Sequence, residues 1–240
     1  MNERKNTMLH EHISKQFDAD LETVRSRVLQ MGGLVEEQIV NAIEALIDSK
    51  LDLADAVIAK DLQVNAMEVE IDEACAHIIA RRQPTAGDLR MVMTVIKTIT
   101  DLERIGDEAD KIARMSKLIY QTDRLSIPRF TEIKAMSVIV VEMLRKSLDA
   151  FARLDLAAAV QVPRQDRQVD DEFSSCMRHL ITFMMEDPRT ISTSLDVLFA
   201  AKAVERIGDH AKNMSEYVVY MVKGKDVRHT SVEEIEREVE

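Results

Sequence analysis

The chain repeats itself, and that repeat constrains the architecture more than any other feature. Leu51-Asp52-Leu53-Ala54 recurs as Leu154-Asp155-Leu156-Ala157, an offset of 103. Glu103-Arg104-Ile105-Gly106-Asp107, followed by Ala109, recurs as Glu205-Arg206-Ile207-Gly208-Asp209, followed by Ala211, an offset of 102. Pro84 and Pro188 lie between the two blocks in their respective halves. Three ordered matches at nearly one offset describe a duplicated unit of about 100 residues. Two such units joined near residues 121–128 account for most of the chain.

The apolar period says what each unit is made of. Leu102, Ile105, Ala109, Ile112 and Ile119 fall three to four apart, as do Val204, Ile207, Ala211, Met214, Val218 and Met221. That spacing belongs to an amphipathic helix. Only six Gly and four Pro are present, too few for the turns of a β-sandwich or the loops of a doubly wound sheet. The spacing predicts six helices, near 12–48, 52–81, 86–120, 129–153, 156–185 and 190–223, with Pro163 starting or kinking one of them. Thr85 is placed to cap the third helix, with Asp88 as an imperfect capping-box partner. The expected fold class is all-α, two tandem antiparallel three-helix bundles. The first bundle is expected over 1–121 and the second over 122–224. A polar, acidic tail over 225–240 is expected to fray or form a weak short helix.

The repeated pentapeptide carries the chemistry. Glu103 and Asp107, four apart on a helix, project from one face, and two carboxylates there repel unless a cation lies between them. Gly106 inside a helix costs about 1 kcal/mol relative to Ala. Both penalties recur at Glu205, Gly208 and Asp209. In an antiparallel hairpin about Pro84, Asp61 lies level with Asp107. About Pro188, Asp166 lies level with Asp209, and Asp170 with Glu205. Asp166 and Asp170 are a second i, i+4 carboxylate pair, whose first-half counterparts are Asp61 and Asn65. Each hairpin can therefore bring oxygen ligands from two helices to one level, a donor set for iron, manganese, magnesium or calcium. The competing reading is a solvated helix face, with Arg104 and Arg206 pairing the carboxylates within the helix.

Several function classes are excluded or disfavoured. A net charge of −11 disfavours nucleic acid and anionic membranes as direct partners. No apolar run reaches membrane-spanning length, and the opening residues MNERKNTMLHEHISK lack a signal-peptide core, so a cytoplasmic protein is expected. Cys75 and Cys176 are isolated and read as buried or half-buried thiols. His77 is expected to be a partly buried structural residue. None of the six His follows a Glu at three positions before it, so the di-iron bundle pattern is missing. No phosphate loop or nucleophile elbow is present either. The chain reads as a non-enzyme.

The set Asp61, Gln83-Pro84, Asp88-Leu89-Arg90 and Glu103 to Asp107 resembles the PhoU family of phosphate-signalling proteins. The second half adds Glu205 to His210 and Lys223-Gly224-Lys225-Asp226-Val227-Arg228-His229. The resemblance spans about residues 17–229. It implies a cytoplasmic accessory protein of the phosphate ABC transporter that restrains the phosphate sensor histidine kinase when phosphate is plentiful. The implied partners are that kinase, the transporter's ATPase subunit and a second copy in a homodimer, with membranes reached only through partners. It also implies a cluster of iron or another divalent metal. Its expected ligands are Asp61, Asn65, Glu103, Asp107, Asp166, Asp170, Glu205 and Asp209, Asn65 departing from the family pattern by one carboxylate. The alternative is a metal-binding helical protein of iron storage or metal homeostasis with no signalling role.

Overall fold

The structure, a computed structural model, describes residues 3–121, 128–228 and 230–239, with side chains in the first helix described from Gln16 onward. The predicted junction near 121–128, and with it the boundary between the units, falls mostly outside those residues, as does His229. Helix α1 (Glu3–Asp48), α2 (Leu51–Arg82) and α3 (Ala86–Gln121) form one antiparallel three-helix bundle. Helix α4 (Thr131–Arg153), the single turn α5 (Leu156–Ala159), α6 (Val162–Glu186) and α7 (Ile191–Lys223) form the second. A short α8 (Val232–Val239) follows. Among the described residues there is no strand.

The helix ends follow the local chemistry. Gln83 and Leu154 adopt left-handed conformations that end α2 and α4, each donating its N–H back to the preceding turn or leading directly into the next cap. Asp155 accepts the backbone N–H of Ala158 and so starts α5. The predicted helix over 156–185 is two helices. Pro163 lacks an N–H and sits in the first turn of α6, where none is needed, so the chain breaks after α5 and restarts. Gly224, at φ 73°, ends α7 beneath the guanidinium of Arg90.

The core matches the repeat position by position. Val64 and Val169, Leu102 and Val204, Ile105 and Ile207, Ile112 and Met214 are all buried pairs. Both cysteines are buried, and burial pushes the thiol of Cys75 up to about 12 and that of Cys176 up to about 11. Two expectations are corrected. His77 is exposed, because it lies one position away from the buried stripe of Cys75 and Ile78. The tail is neither wholly polar nor loose: Val227, Val232 and Ile235 are buried, and Arg164 reaches Glu236 at 2.5 Å.

The bundles meet through their third helices, with α1 also lying against α4. Between α3 and α7, Asp101 accepts hydrogen bonds from the side chains of His210, at 2.7 Å, and Asn213, at 3.3 Å. Arg206 reaches Glu108 at 2.9 Å, and Lys97 lies 5.3 Å from the ring centres of Tyr217 and Tyr220. On the α1–α4 side, Arg145 pairs with Glu36, and Gly32 admits Leu148.

Gly32 and its neighbour Gly33 make a test of this packing. A Cβ at Gly32 would stand 2.6 Å from a Leu148 methyl, whereas one at Gly33 would meet nothing within 4 Å. Gly32→Ala is expected to lower stability by about 1–2 kcal/mol through overpacking. Gly33→Ala is expected to raise it by about 1 kcal/mol through helix propensity alone. Urea unfolding midpoints of the two variants, shifting in opposite directions from the parent, check this.

Candidate metal site and the family it defines

The hairpin geometry brings Asp61 and Asp166 beside the glycines of the third helices. Asp61 on α2 lies beside Gly106 on α3: a Cβ built on Gly106 would stand 3.8 Å from an Asp61 oxygen, 3.4 Å from Gln38 Oε1 and 3.3 Å from Val64. In the second bundle a Cβ on Gly208 would stand 3.6 Å from an Asp166 oxygen. The glycines thus sit where the two acid-bearing helices approach, which gives their helical cost a physical return.

Burial and neighbouring carboxylates act on the same groups. Burial pushes the Asp61 carboxyl up from the ordinary range, and the charges of Asp110 and Asp107 push it further. Glu103 is raised by burial and then by Asp107. In the second bundle burial raises Asp170 and Asp209. Asp166 and Glu205 add to both, opposed by Lys212 and Lys202. Asn65 donates its amide to Asp61 at 3.1 Å.

The two clusters are compensated differently. In the second, Lys212 donates to Asp166 at 2.7 Å and Lys202 to Glu205 at 2.5 Å, so lysines supply positive charge from within the bundle. In the first, Arg114 donates to one Asp110 oxygen at 2.6 Å, while Asp61 Oδ1, Asn65 Oδ1, Asp110 Oδ1 and Gln38 Oε1 are buried and accept no hydrogen bond. Buried oxygens without donors are costly. Their type, two carboxylates and two carboxamides, is a fitting donor set for a hard divalent cation. Among the described residues no three Asp, Glu, His or Cys side chains are close enough to enclose an ion by themselves. The carboxamides Asn65 and Gln38 are therefore part of what makes the first cluster suitable.

Sequence reasoning missed Asp110 and Gln38. Asp110 follows Glu103 by seven positions, and so shares its helix face, but its counterpart in the second repeat is Lys212. A search for what the halves have in common passes over it. Gln38 comes from α1, which the hairpin argument did not consider. Arg104 pairs with Glu103 at 3.4 Å and Asp107 at 3.6 Å, as the solvated-face reading expects, whereas Arg206 crosses to the other bundle. His210, adjacent to Asp209, turns toward Asp101 instead.

Taken together, the fold and site define an all-helical, internally duplicated protein with carboxylates of its second and third helices facing each other in each unit. The PhoU domain family matches residues 28–116 and 133–218. A phosphate-specific transport system accessory protein PhoU from Serratia marcescens is 49% identical over 235 residues, covering 97% of this chain and 95% of that protein. The crystal structure of PhoU from Pseudomonas aeruginosa superposes with a TM-score of 0.84 at 47% identity, over 87% of this chain and all of that one. That of the phosphate transport system regulatory protein PhoU from Streptococcus pneumoniae gives 0.80 at 28% identity, over 88% and 99%. The chain belongs to the PhoU family.

The raised carboxyls set a pH dependence. Glu216 on α7 is pushed up to about 7 by burial, with Asp166 adding and Lys212 opposing. An acid that binds its proton more tightly folded than unfolded adds stability as pH falls through its folded value toward its ordinary one. The metal-free protein is therefore expected to gain stability between about pH 8 and about pH 5.5. Glu216→Gln should flatten that rise, as read from urea midpoints across the range.

Proposed function

We propose that this chain is a cytoplasmic, non-enzymatic regulator of phosphate uptake that couples the phosphate ABC transporter to its sensor histidine kinase. In this reading it restrains the kinase when phosphate is plentiful. The observation that carries the proposal is the near-full-length likeness, at 49% identity, to a protein named as an accessory of the phosphate-specific transport system. The fold agrees with the role. No described helix is long and apolar enough to cross a membrane, and the long helices present extended faces to partners. A coupling of about 1–3 kcal/mol between transporter state and kinase state is enough to shift the kinase's output.

Equilibrium binding to the kinase's cytosolic fragment and to the transporter's ATPase subunit tests this directly. Saturable binding to both is the expected result. A phosphate-starvation reporter that stays silent in phosphate-replete cells lacking the chain would overturn the regulatory role.

The metal reading stands beside this one as part of the same proposal. Asp61, Asn65, Asp110 and Gln38, with Glu103 and Asp107 nearby, would hold iron or another divalent cation in the first bundle. Asp166, Asp170, Glu205 and Asp209 would do so in the second once Lys202 and Lys212 move aside. Bound cation would neutralise the clustered carboxylates and tie second helix to third. A ligand that binds only the folded state at a hundred times its Kd adds about 2.7 kcal/mol. Added Mn(II) is therefore expected to raise the thermal midpoint of the metal-free protein. Asp61→Asn/Asp110→Asn should lose most of the first-bundle share of that rise, and an unchanged rise in this variant would remove those ligands from the assignment.

A further inference from the structure

The two bundles differ on one face. On α6, Phe173 is half-buried while Met177 and Ile181 are exposed, at 37% and 47% for the latter two. These residues are four apart and form one stripe. Across the hairpin on α7, Ile191 and Leu195 are exposed, at 44% and 41%, and Leu198, three positions further on, is half-buried. The Lys202 ammonium lies 5.4 Å from the centre of the Phe173 ring, which places the two stripes side by side along the outer α6–α7 groove. The apolar floor is roughly 15 Å long, or about three helical turns. Contiguous exposed apolar surface of this kind marks interaction sites.

The first bundle supplies an internal control. Asp61 corresponds to Asp166 and Val64 to Val169, and the same register along α2 sets Glu68 opposite Phe173, Asp72 opposite Met177 and Ala76 opposite Ile181. The exposure pattern is the same in both sets, half-buried then twice exposed. The duplicated scaffold therefore keeps its fold with acidic and small residues on this face. On α7 the two copies agree, since Ile191, Leu195 and Leu198 correspond to Leu89, Met93 and Ile96 with the same exposure pattern. The difference is confined to α6, where Phe173 also packs against the core, so Met177 and Ile181 are the apolar residues that the scaffold does not require.

Charge says what kind of occupant fits. At its Lys202 end the groove runs into Asp166, Asp170, Glu205 and Asp209, four carboxylates against the two lysines Lys202 and Lys212. An occupant lying along the groove meets an apolar floor first and excess negative charge at one end. We propose that the α6–α7 groove is a docking site for an amphipathic helix of a partner protein, with apolar residues at i, i+4 spacing and lysine or arginine at the end that reaches Asp170 and Glu205. A second copy of this chain fits less well, because it carries a net charge of −11 and brings the same acidic surface. The inference rests on the proposed function only in taking the partner to be a protein of the transport or signalling system. The surface itself is tested separately.

The decisive variant installs the first bundle's residues in the second: Phe173→Glu/Met177→Asp/Ile181→Ala. Met177→Asp/Ile181→Ala, confined to exposed positions, serves where the triple change disturbs folding. The first arm uses a labelled helical peptide of Leu, Ala and Gln with a lysine-rich end, and its twin with a glutamate-rich end. The parent protein should bind the lysine-ended peptide saturably and the glutamate-ended one much more weakly. Both variants should bind the lysine-ended peptide at least about tenfold more weakly, as when an interface anchor is lost. They are more acidic than the parent, so non-specific attraction to lysine would strengthen their binding instead. Equal or tighter binding by the variants overturns the site.

The second arm uses the kinase fragment and the ATPase subunit. Loss of one of them by the variants, with native helicity retained, supports the site. Parent-like binding of both overturns it while leaving the proposed function standing. If the parent binds neither protein, the proposed function falls and the peptide arm alone decides the groove. A parent dimer that both variants convert to monomer in sedimentation equilibrium would make the face a self-interface and overturn the helix assignment.

Discussion

Two long helices, α3 and α7, lie antiparallel with a set of charged and polar side chains closed between them, and the arrangement of the whole molecule follows from that contact. Asp101, His210, Asn213, Glu108 and Arg206 can satisfy one another in only one register. Slide one helix by a turn and buried Asp101 loses His210 and Asn213, while Glu108 loses Arg206 and keeps only Lys111 of its own helix. Breaking a buried charge pair by removing one partner costs about 3–5 kcal/mol, because an uncompensated charge stays behind. An apolar seam would tolerate several registers; this one does not. Since α3 and α7 also carry Glu103, Asp107, Glu205 and Asp209, the same pairs that join the bundles fix the separation of the two carboxylate clusters.

The duplication explains why the interface is polar and also why it is unsymmetrical. Residues related by the repeat stand in related places at a contact between equivalent helices. Position 108 is Glu where 210 is His, and position 101 is Asp where 203 is Ala. Like copies in this antiparallel contact would keep Glu108 with Arg206, whose counterpart is Arg104, but would set Asp101 against a Glu at 210. Divergence has placed His there instead, and it pairs with Asp101. The same process is visible in the clusters, where Asp110 in one copy is Lys212 in the other. Both copies set basic side chains against their acids, Arg114 against Asp110 in the first and Lys212 against Asp166 in the second, but the first also keeps buried oxygens without donors.

Much of this was legible in the sequence, and the reason is periodicity. Helices of more than thirty residues give many turns of apolar spacing, so α2, α3 and α7 fall close to their predicted bounds. The hairpin count about Pro84 and Pro188 set Asp61 level with Asp107 and Asp166 level with Asp209, and the structure places those two aspartates beside the adjacent Gly106 and Gly208, because an antiparallel pair of straight helices has almost no freedom of register. What failed was local or came from a third element. Pro163, expected to start or kink a helix, does start α6, and what failed is the bound at 156, where the apolar period runs on across the break. His77 sits next to the buried stripe, and one position on a helix turns a side chain through 100°. Gln38 belongs to the first helix, which no counting between second and third could reach. The tail reads as polar because its buried residues, Val227, Val232 and Ile235, are spread among charges.

The carboxylate clusters and the bundle contact are mechanically linked through α3 and α7. Burial and mutual repulsion raise the carboxyls of Asp61, Glu103, Asp170 and Asp209, so at neutral pH each cluster holds charge at a cost to the folded state. Anything positive that reaches a cluster, a metal ion or a basic side chain of a partner, relieves that cost and gains affinity from it. Relief in one cluster is felt by the helix that bears it, and α3 and α7 are locked together by Asp101 and Glu108. A change in how α7 sits against α6 therefore bears on how α3 sits against α2. Any coupling between the two clusters is by thermodynamic necessity reciprocal.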